Sequence, residues 1–279
     1  MAYSYTDEYR RWRNNKNLEE TLRKDIDSIE GNDDEIKKRF AAPLSFGTAG
    51  LRGIMQSGIC GMNIYTVAQA TEGVARLVKK NNGEKKGVVI ACDTRNNSEL
   101  FSRVSAGVLA ANGIKTYIFD APRPTPELSF ALRELGAIAG INVTASHNPK
   151  AYNGYKVYWD DGAQLSPDDA AVVAAEIAKT DIFSVVVADF DKAVADGIIE
   201  IIGRNIDEKF MERVLAERID VDAIPKVAEK FGVVYTPLHG TGAALVPETL
   251  EKAGIKHLYC VPEQMKPDGN FPTVRTPNP

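Results

Sequence analysis

Cysteine is scarce here: Cys60, Cys92 and Cys260 are the three in 279 residues, widely spaced and without a Cys-x-x-Cys pair. Nothing therefore suggests a zinc site or a redox centre, and the three read as reduced core thiols of a cytoplasmic protein. Long apolar runs are missing too, none approaching the ~18 residues of a membrane span. The N-terminus has no short apolar core between basic residues and a small-residue cleavage site, so neither secretion nor membrane insertion is expected. Positive charge is not in excess: the formal net charge is −4 and the pI near 5.6. The surface as a whole gives no reason to bind nucleic acid, and any anion site must be a local cluster of basic groups. Repeats and low-complexity tracts are absent. What remains is an ordinary globular chain, 44% hydrophobic, long enough for about two domains.

The patterning changes along the chain. In residues 3–30, Tyr5, Tyr9 and Trp12, then Leu18, Leu22, Ile26 and Ile29, fall at helical spacing around the polar break Asn14-Asn15. Two helices are expected, forming a packing arm over residues 1–40. From about residue 41 strands alternate with helices: Val88–Cys92, a helix through Leu100, Val104 and Val108, Thr116–Phe119, a helix with Leu128, Ala131, Leu132 and Leu135, then the apolar run Ala137–Val143. This predicts a three-layer α/β/α domain over 41–203 with a mostly parallel mixed sheet. A helix and the run Val185-Val186-Val187 follow, and Gly203-Arg204-Asn205 marks a boundary. Residues 204–279 then hold a helix around Phe210 and Met211 and one βαβ unit, with strands Val233–Tyr235 and Leu258–Val261, which is an incomplete second α/β domain.

The chemistry concentrates at Thr144-Ala145-Ser146-His147-Asn148-Pro149, followed by Asn153-Gly154-Tyr155-Lys156. Asn148-Pro149 and Asn153-Gly154 read as tight turns, so Ser146 is presented on a short stiff loop at a strand end. The run Tyr155–Trp159 reads as a strand bringing Lys156 back beside it. Ligands of such sheets sit at the carboxyl ends of strands, and Asp93, Arg95 and Ser146 all fall just past predicted ends.

Those motifs, with Phe46-Gly47-Thr48-Ala49-Gly50-Leu51-Arg52-Gly53 upstream and Thr236-Pro237-Leu238-His239-Gly240-Thr241-Gly242 downstream, resemble the α-D-phosphohexomutase superfamily. The resemblance is greatest to bacterial phosphoglucomutases, over the first domain and the start of the second. It implies that Ser146 is phosphorylated, donates its phosphoryl group to a hexose monophosphate and recovers one from the bisphosphate intermediate. Lys156 is implied as general acid/base, Arg52 as a phosphate contact in a glycine-rich loop, and His147 as an active-site histidine. Thr48, Asn148, Asp93, Arg95, His239 and Gly240 are carried as substrate or phosphate contacts. Plainer readings stand beside these: a serine bonded to its own turn, a solvated lysine, an arginine in a surface ion pair, a structural histidine, a local Asp93–Arg95 salt bridge, and a strand–helix turn at His239-Gly240 that needs glycine.

The resemblance also implies Mg²⁺ between the phosphoserine and an Asp-x-Asp-x-Asp loop, a spacing that does not occur here. Asp25/Asp27, Asp189/Asp191 and Asp220/Asp222 read as solvated charge. Ser146 is thus the one expected metal ligand in this chain, with the aspartates expected beyond Pro279. A serine hydrolase is disfavoured because there is no Gly-x-Ser-x-Gly elbow, and because adjacent side chains in extended chain point apart, placing His147 poorly as a base for Ser146. The expected activity is interconversion of glucose 1-phosphate and glucose 6-phosphate, activated by glucose 1,6-bisphosphate. Phosphomannomutase or phosphopentomutase, or a non-catalytic phosphate-binding module, are the alternatives. Hexose phosphates are the expected partners; the full-length protein is expected as a monomer or dimer, and this portion is expected to self-associate through an open sheet edge.

Overall fold

A computed structural model describes residues 4–277; the expected helix start at residue 3 and the terminal Pro279 lie outside them. Helix α1 (Tyr5–Arg13) opens where the Ser4 hydroxyl accepts from the Asp7 amide, and α2 (Glu20–Asp27) follows. The arm holds a third helix, α3 (Asp33–Phe40), capped by Asn32. Its apolar face is just Ile36 and Phe40 among six charged residues, too thin a stripe for periodicity to register. Trp12 is fully buried and meets Phe40, Tyr65 and Phe183 edge-on, with centroids 6.0, 5.5 and 5.1 Å away, so the arm docks on the domain that follows.

That domain runs β1 (Leu51–Ile54), α4 (Ile64–Lys80), β2 (Val88–Cys92), α5 (Ser98–Ala111), β3 (Thr116–Phe119), α6 (Thr125–Glu134), β4 (Ala139–Val143), β5 (Tyr152–Trp159), α7 (Pro167–Lys179), α8 (Phe190–Ala195) and β6 (Ile199–Ile202). One mixed sheet has the order β1-β5-β4-β2-β3-β6. Neighbours from β4 to β6 pair in parallel, and β5 runs antiparallel to both β4 and β1. Side chains alternate across it: Val88 and Ile90 join Val74, Leu109 and Val173 of α4, α5 and α7, whereas Val89 and Ala91 join Leu128 and Leu132 of α6 on the other face. Three layers result. Helix α9 (Arg204–Ala216) covers that second face as well, burying Ile206 with the α6 cluster.

After α10 (Ala223–Val227), strands β7 (Gly232–Tyr235) and β8 (His257–Cys260) pair in parallel around α11 (Gly242–Lys252), and α12 (Pro262–Met265) follows. Val234 and Tyr259 in this pair are 75% and 60% exposed, so one face of the small sheet lies open.

Several expectations need correction. Asn153-Gly154 is no turn: both residues lie inside β5, which starts at Tyr152. Glycine is required there because a Cβ at 154 would sit 2.5 Å from the Thr144 carbonyl oxygen, so the signal was close approach and not chain reversal. Arg52 lies on edge strand β1, paired to Gly154, and not in a loop. Strand β6 escaped notice because Glu200 interrupts an apolar segment only four residues long. The three cysteines are free and half-buried, and of them Cys92 packs against the main core cluster. Asp25 is not solvated charge either: it accepts from the Arg39 guanidinium and the Ser57 amide, both at 2.7 Å, and Asp189 caps α8 through the Lys192 amide.

Candidate active site

Strands β2 and β4 end side by side, Cys92 opposite Val143, and the Asp93 amide donates to the Val143 carbonyl at 3.1 Å. The Asp93 carboxylate gathers the Thr144 hydroxyl at 2.6 Å, the Ser98 hydroxyl at 2.8 Å and the Arg95 amide at 3.0 Å. Arg95 stands 3.3 Å from Asp93 as an ion pair. Its guanidinium then turns across to the serine loop, donating to the carbonyls of Ser146 (2.8 Å), Asn148 (2.6 Å), Pro149 (3.0 Å) and Tyr152 (3.1 Å). Five donors in a rigid fork suit this task, and a lysine could not span four carbonyls. Burial holds the Arg95 pKa below its usual value, with Asp93 opposing the shift. Asp93 and Arg95 thus make a local salt bridge and also brace the serine loop.

Ser146 itself is exposed, with φ +56°. A non-glycine residue in the left-handed region is strained and persists only where its surroundings fix it. Here they do: its amide donates to the Thr144 hydroxyl at 2.9 Å, and its carbonyl is held by Arg95. The same backbone twist corrects the expectation for His147. The chain is not extended at this point, so adjacent side chains do not point apart, and His147 Nδ1 lies 3.3 Å from Ser146 Oγ. No carboxylate bonds His147 among the described residues, so a nucleophile–base–acid triad is not completed.

Arg52 projects from β1 to the same loop and donates to Asn148 Oδ1 at 3.3 Å. Thr48 is exposed at the tip of the tight turn closed by Gly47 and Gly50. Gly50 has φ +74°, and a Cβ there would strike the Tyr155 carbonyl, so the turn lies against β5 next to Lys156. Lys156 is directly opposite Asn142 in the β4–β5 register. Opposed residues share a face, which puts Lys156 on the side of the sheet where Asn142 lines the cleft. The Lys156 side chain is half-buried and, among the described residues, makes no ion pair or hydrogen bond; it does not itself line the cleft.

That cleft, of about 550 Å³, is bounded by Asp93, Arg95, Ser146 and His147 on one side and by Thr236–Leu238, Gly240, Thr241 and Phe271 on the other. Gly240 therefore sits where expected, just before α11. His239 does not face the cleft. It is 1% exposed, with Nδ1 2.9 Å from the Lys266 carbonyl and Nε2 2.8 Å from the Thr273 hydroxyl.

Arg123, Thr125 and Asn142 also line the cleft, and the sequence reading did not single them out. Arg123 lies in the loop after β3, which ends at Phe119, so the strand-end rule extended along that loop could have found it. It is pinned by Asp207 of α9, with Nε and Nη2 donating at 2.8 and 2.9 Å, and by Asp120 at 3.1 Å. Glu127 lies beneath, fully buried, 3.9 Å from Arg123, with neither carboxyl oxygen bonded while both carboxyls are ionised. Burial pushes its pKa up to about 8, reinforced by Asp207. Burial would raise Asp207 as well, but hydrogen bonds from Arg123 and Glu127 bring it below the usual carboxylate range. A proton on Glu127, donated toward Asp207, satisfies both shifts.

Among the described residues no cluster of three or more His, Cys, Asp or Glu can hold a metal. Mg²⁺ needs near-octahedral oxygen ligands, and the one carboxylate beside Ser146, Asp93, is taken up by Thr144, Ser98 and Arg95. The residues present do not make a complete Mg²⁺ site. No helix among them is long and apolar enough to cross a membrane.

Two family models match: phosphoglucomutase/phosphomannomutase α/β/α domain I over residues 43–182, and domain II over residues 208–279. A phosphoglucomutase of Staphylococcus saprophyticus is 37% identical over 95% of the chain and 47% of its own length. A phosphopentomutase of Homo sapiens is 35% identical over 98% of the chain and 45% of its own, and a phosphoribomutase of Saccharomyces cerevisiae 36% over 88% and 41%. A solved structure from Thermus thermophilus, assigned as a phosphomannomutase, superposes with a TM-score of 0.68 at 28% identity, over 84% of this chain and 48% of that one. The chain spans about half the length of the curated relatives it matches.

Proposed function

The chain belongs to the phosphoglucomutase/phosphomannomutase family, and on that premise we propose that it is the amino-terminal portion of a phosphoglucomutase whose phosphoryl carrier is Ser146. In this reading residues 1–40 are the docking arm, 41–203 the phosphoserine domain and 204–279 the start of the second domain. The observation that carries it is the exposed Ser146 hydroxyl, held on a left-handed turn by Arg95 and by the Asp93–Thr144 pair. Phosphoryl transfer depends on in-line positioning and charge stabilisation, and such a turn supplies the first.

In the forward step the Ser146 Oγ–P bond breaks and an O–P bond to a sugar hydroxyl forms; the hydroxyl proton is taken by Lys156 as its neutral amine and delivered to the departing Ser146 Oγ. The bisphosphate then returns its other phosphoryl group to Ser146: that sugar O–P bond breaks as the Oγ–P bond re-forms, and the Oγ proton passes through the same lysine, or through His147, 3.3 Å away, to the released sugar oxygen. Arg52, which reaches the loop at Asn148, would bind phosphate oxygens bidentately. Mg²⁺, held by the phosphoserine and by carboxylates from elsewhere in a longer protein, would offset charge on the transferring group.

Relatives named for glucose, pentose and ribose phosphates stand at 37%, 35% and 36% identity, so similarity alone does not select the sugar. A non-catalytic phosphate-binding module would not need a serine hydroxyl exposed beside a histidine. The test is intact-mass and peptide analysis of a protein with all the family's domains after incubation with glucose 1,6-bisphosphate, with Ser146→Ala as control. A single phosphoryl adduct on Ser146 is expected; an adduct elsewhere, or none, overturns the reading.

A further inference from the structure

His239 belongs to a motif but not to the cleft, and what it holds is informative. The Lys266 carbonyl can only accept, so Nδ1 donates to it, while Nε2 shares a hydrogen bond with the Thr273 hydroxyl. One imidazole thereby ties both ends of the segment 266–273. Between these ends the chain presses onto the loop after β2. A Cβ at Gly269 would lie 2.4 Å from the Asn96 amide nitrogen, and Asn270 Oδ1 accepts from Asn96 Nδ2 at 3.1 Å. Phe271, 7% exposed, sets its ring 5.5 Å from the guanidinium carbon of Arg95.

Phe271 takes φ +50°, an outlier for a bulky residue. That strain is sustained by the ties on either side, and its result is the ring's position against Arg95. Arg95 in turn holds the carbonyls of Ser146, Asn148, Pro149 and Tyr152. Two left-handed residues, Phe271 and Ser146, are thus joined through one guanidinium.

We propose that residues 266–273 form a strap, anchored by His239, in which Phe271 is a positioning residue that fixes the serine loop through Arg95. A buried arginine is held by charge on one side and by a ring face on the other; without the ring it is free to tilt and release carbonyls. The proposal deepens the reading of Ser146 as phosphoryl carrier and rests on it for its catalytic meaning, but its geometry can be read without chemistry.

The test uses hydrogen exchange on the chain and on Phe271→Leu and Phe271→Tyr. The amides of Ser146, Asn148 and Tyr152, bonded to Thr144 Oγ1, Ala145 O and Pro149 O, are the reporters. Loss of a cation–π contact should speed their exchange roughly fivefold to tenfold in the Leu variant, with β2 amides unchanged, and Tyr should restore protection. Should the Leu variant lose protection throughout, Gly269→Ala, which lifts the strap off Asn96, takes its place with the same expectation. Loop exchange within about twofold of the parent in both variants overturns the strap. Phosphoryl uptake at Ser146 from glucose 1,6-bisphosphate is followed in parallel in a protein with all the family's domains that carries the same substitutions. Uptake by the parent with no change in loop exchange sinks the strap alone, whereas altered exchange with no uptake by any protein keeps the strap and sinks the carrier.

Discussion

Arg123 meets Asp207 side-on, Nε and Nη2 at 2.8 and 2.9 Å from the two carboxylate oxygens, and so ties the loop after β3 to helix α9. Both side chains are less than a tenth exposed. Glu127 lies under this pair with Asp120 and Arg204 as the other charges around it, which makes the cluster sensitive to where one proton sits.

Glu127→Gln should flatten the pH dependence of stability between the unfolded carboxylate value and about pH 8. The folded pKa of Glu127 is raised to about 8 by burial, so the folded state binds the extra proton and its stabilisation is full below the unfolded carboxylate value and lost as pH climbs through 8. Unfolding midpoints of the parent should therefore carry a downward contribution from about pH 5 to about pH 9 that those of the amide variant lack. Parallel curves for both proteins would place the proton elsewhere.

Asp207→Ala should be far more damaging than a surface charge deletion. It leaves the Arg123 guanidinium, 8% exposed, without its bidentate partner. Breaking a buried pair from one side costs about 3–5 kcal/mol. Urea titration gives the figure directly, and a loss below about 1 kcal/mol would mean that water replaces the carboxylate.

Gly154→Ala should destabilise by about 1–3 kcal/mol through overpacking, since its Cβ would sit 2.5 Å from the Thr144 carbonyl oxygen and 3.0 Å from that of Leu51. The clash is at the base of the serine loop, so phosphoryl uptake at Ser146 should fall with stability. An alanine variant as stable as the parent would show that the loop can shift.

Lys156→Met, in a protein with all the family's domains, should lower kcat by ~10²–10⁴-fold with a small change in KM, as a proton-transfer group acts on the transition state. Steady-state kinetics with glucose 1-phosphate decide it. An unchanged kcat would reduce Lys156 to a half-buried strand residue.

The 279-residue chain by itself should bind Mg²⁺ weakly and show no turnover, because the described residues offer no cluster of three metal ligands. Calorimetry and a coupled assay with glucose 1-phosphate and its bisphosphate are the measurements. Turnover within about tenfold of a full-length relative would place the whole active centre in this chain.

Much of the fold was legible because local patterns coincide with it. The apolar runs at Val88, Thr116 and Ala139 became the parallel core of the sheet, and Ser146 could be placed just past a strand end from the run before it. The docking arm followed from helical spacing around Trp12, except for α3, whose apolar face is two residues.

Tertiary structure decided what depends on approach between distant segments. Gly154 is a glycine because the Thr144 carbonyl passes 2.5 Å from where a Cβ would be, a fact about two backbones that imitates a turn signal in one. His147 reaches Ser146 because the latter's φ is positive, and that conformation is imposed by Arg95 from another strand end. His239 looked like an anion contact by motif, and the fold gives both its nitrogens to the strap. Residue type and spacing determined which groups could do chemistry; the packing of β2, β4 and the strap determined where each one points, because hydrogen bonds between segments far apart in sequence carry no local periodicity.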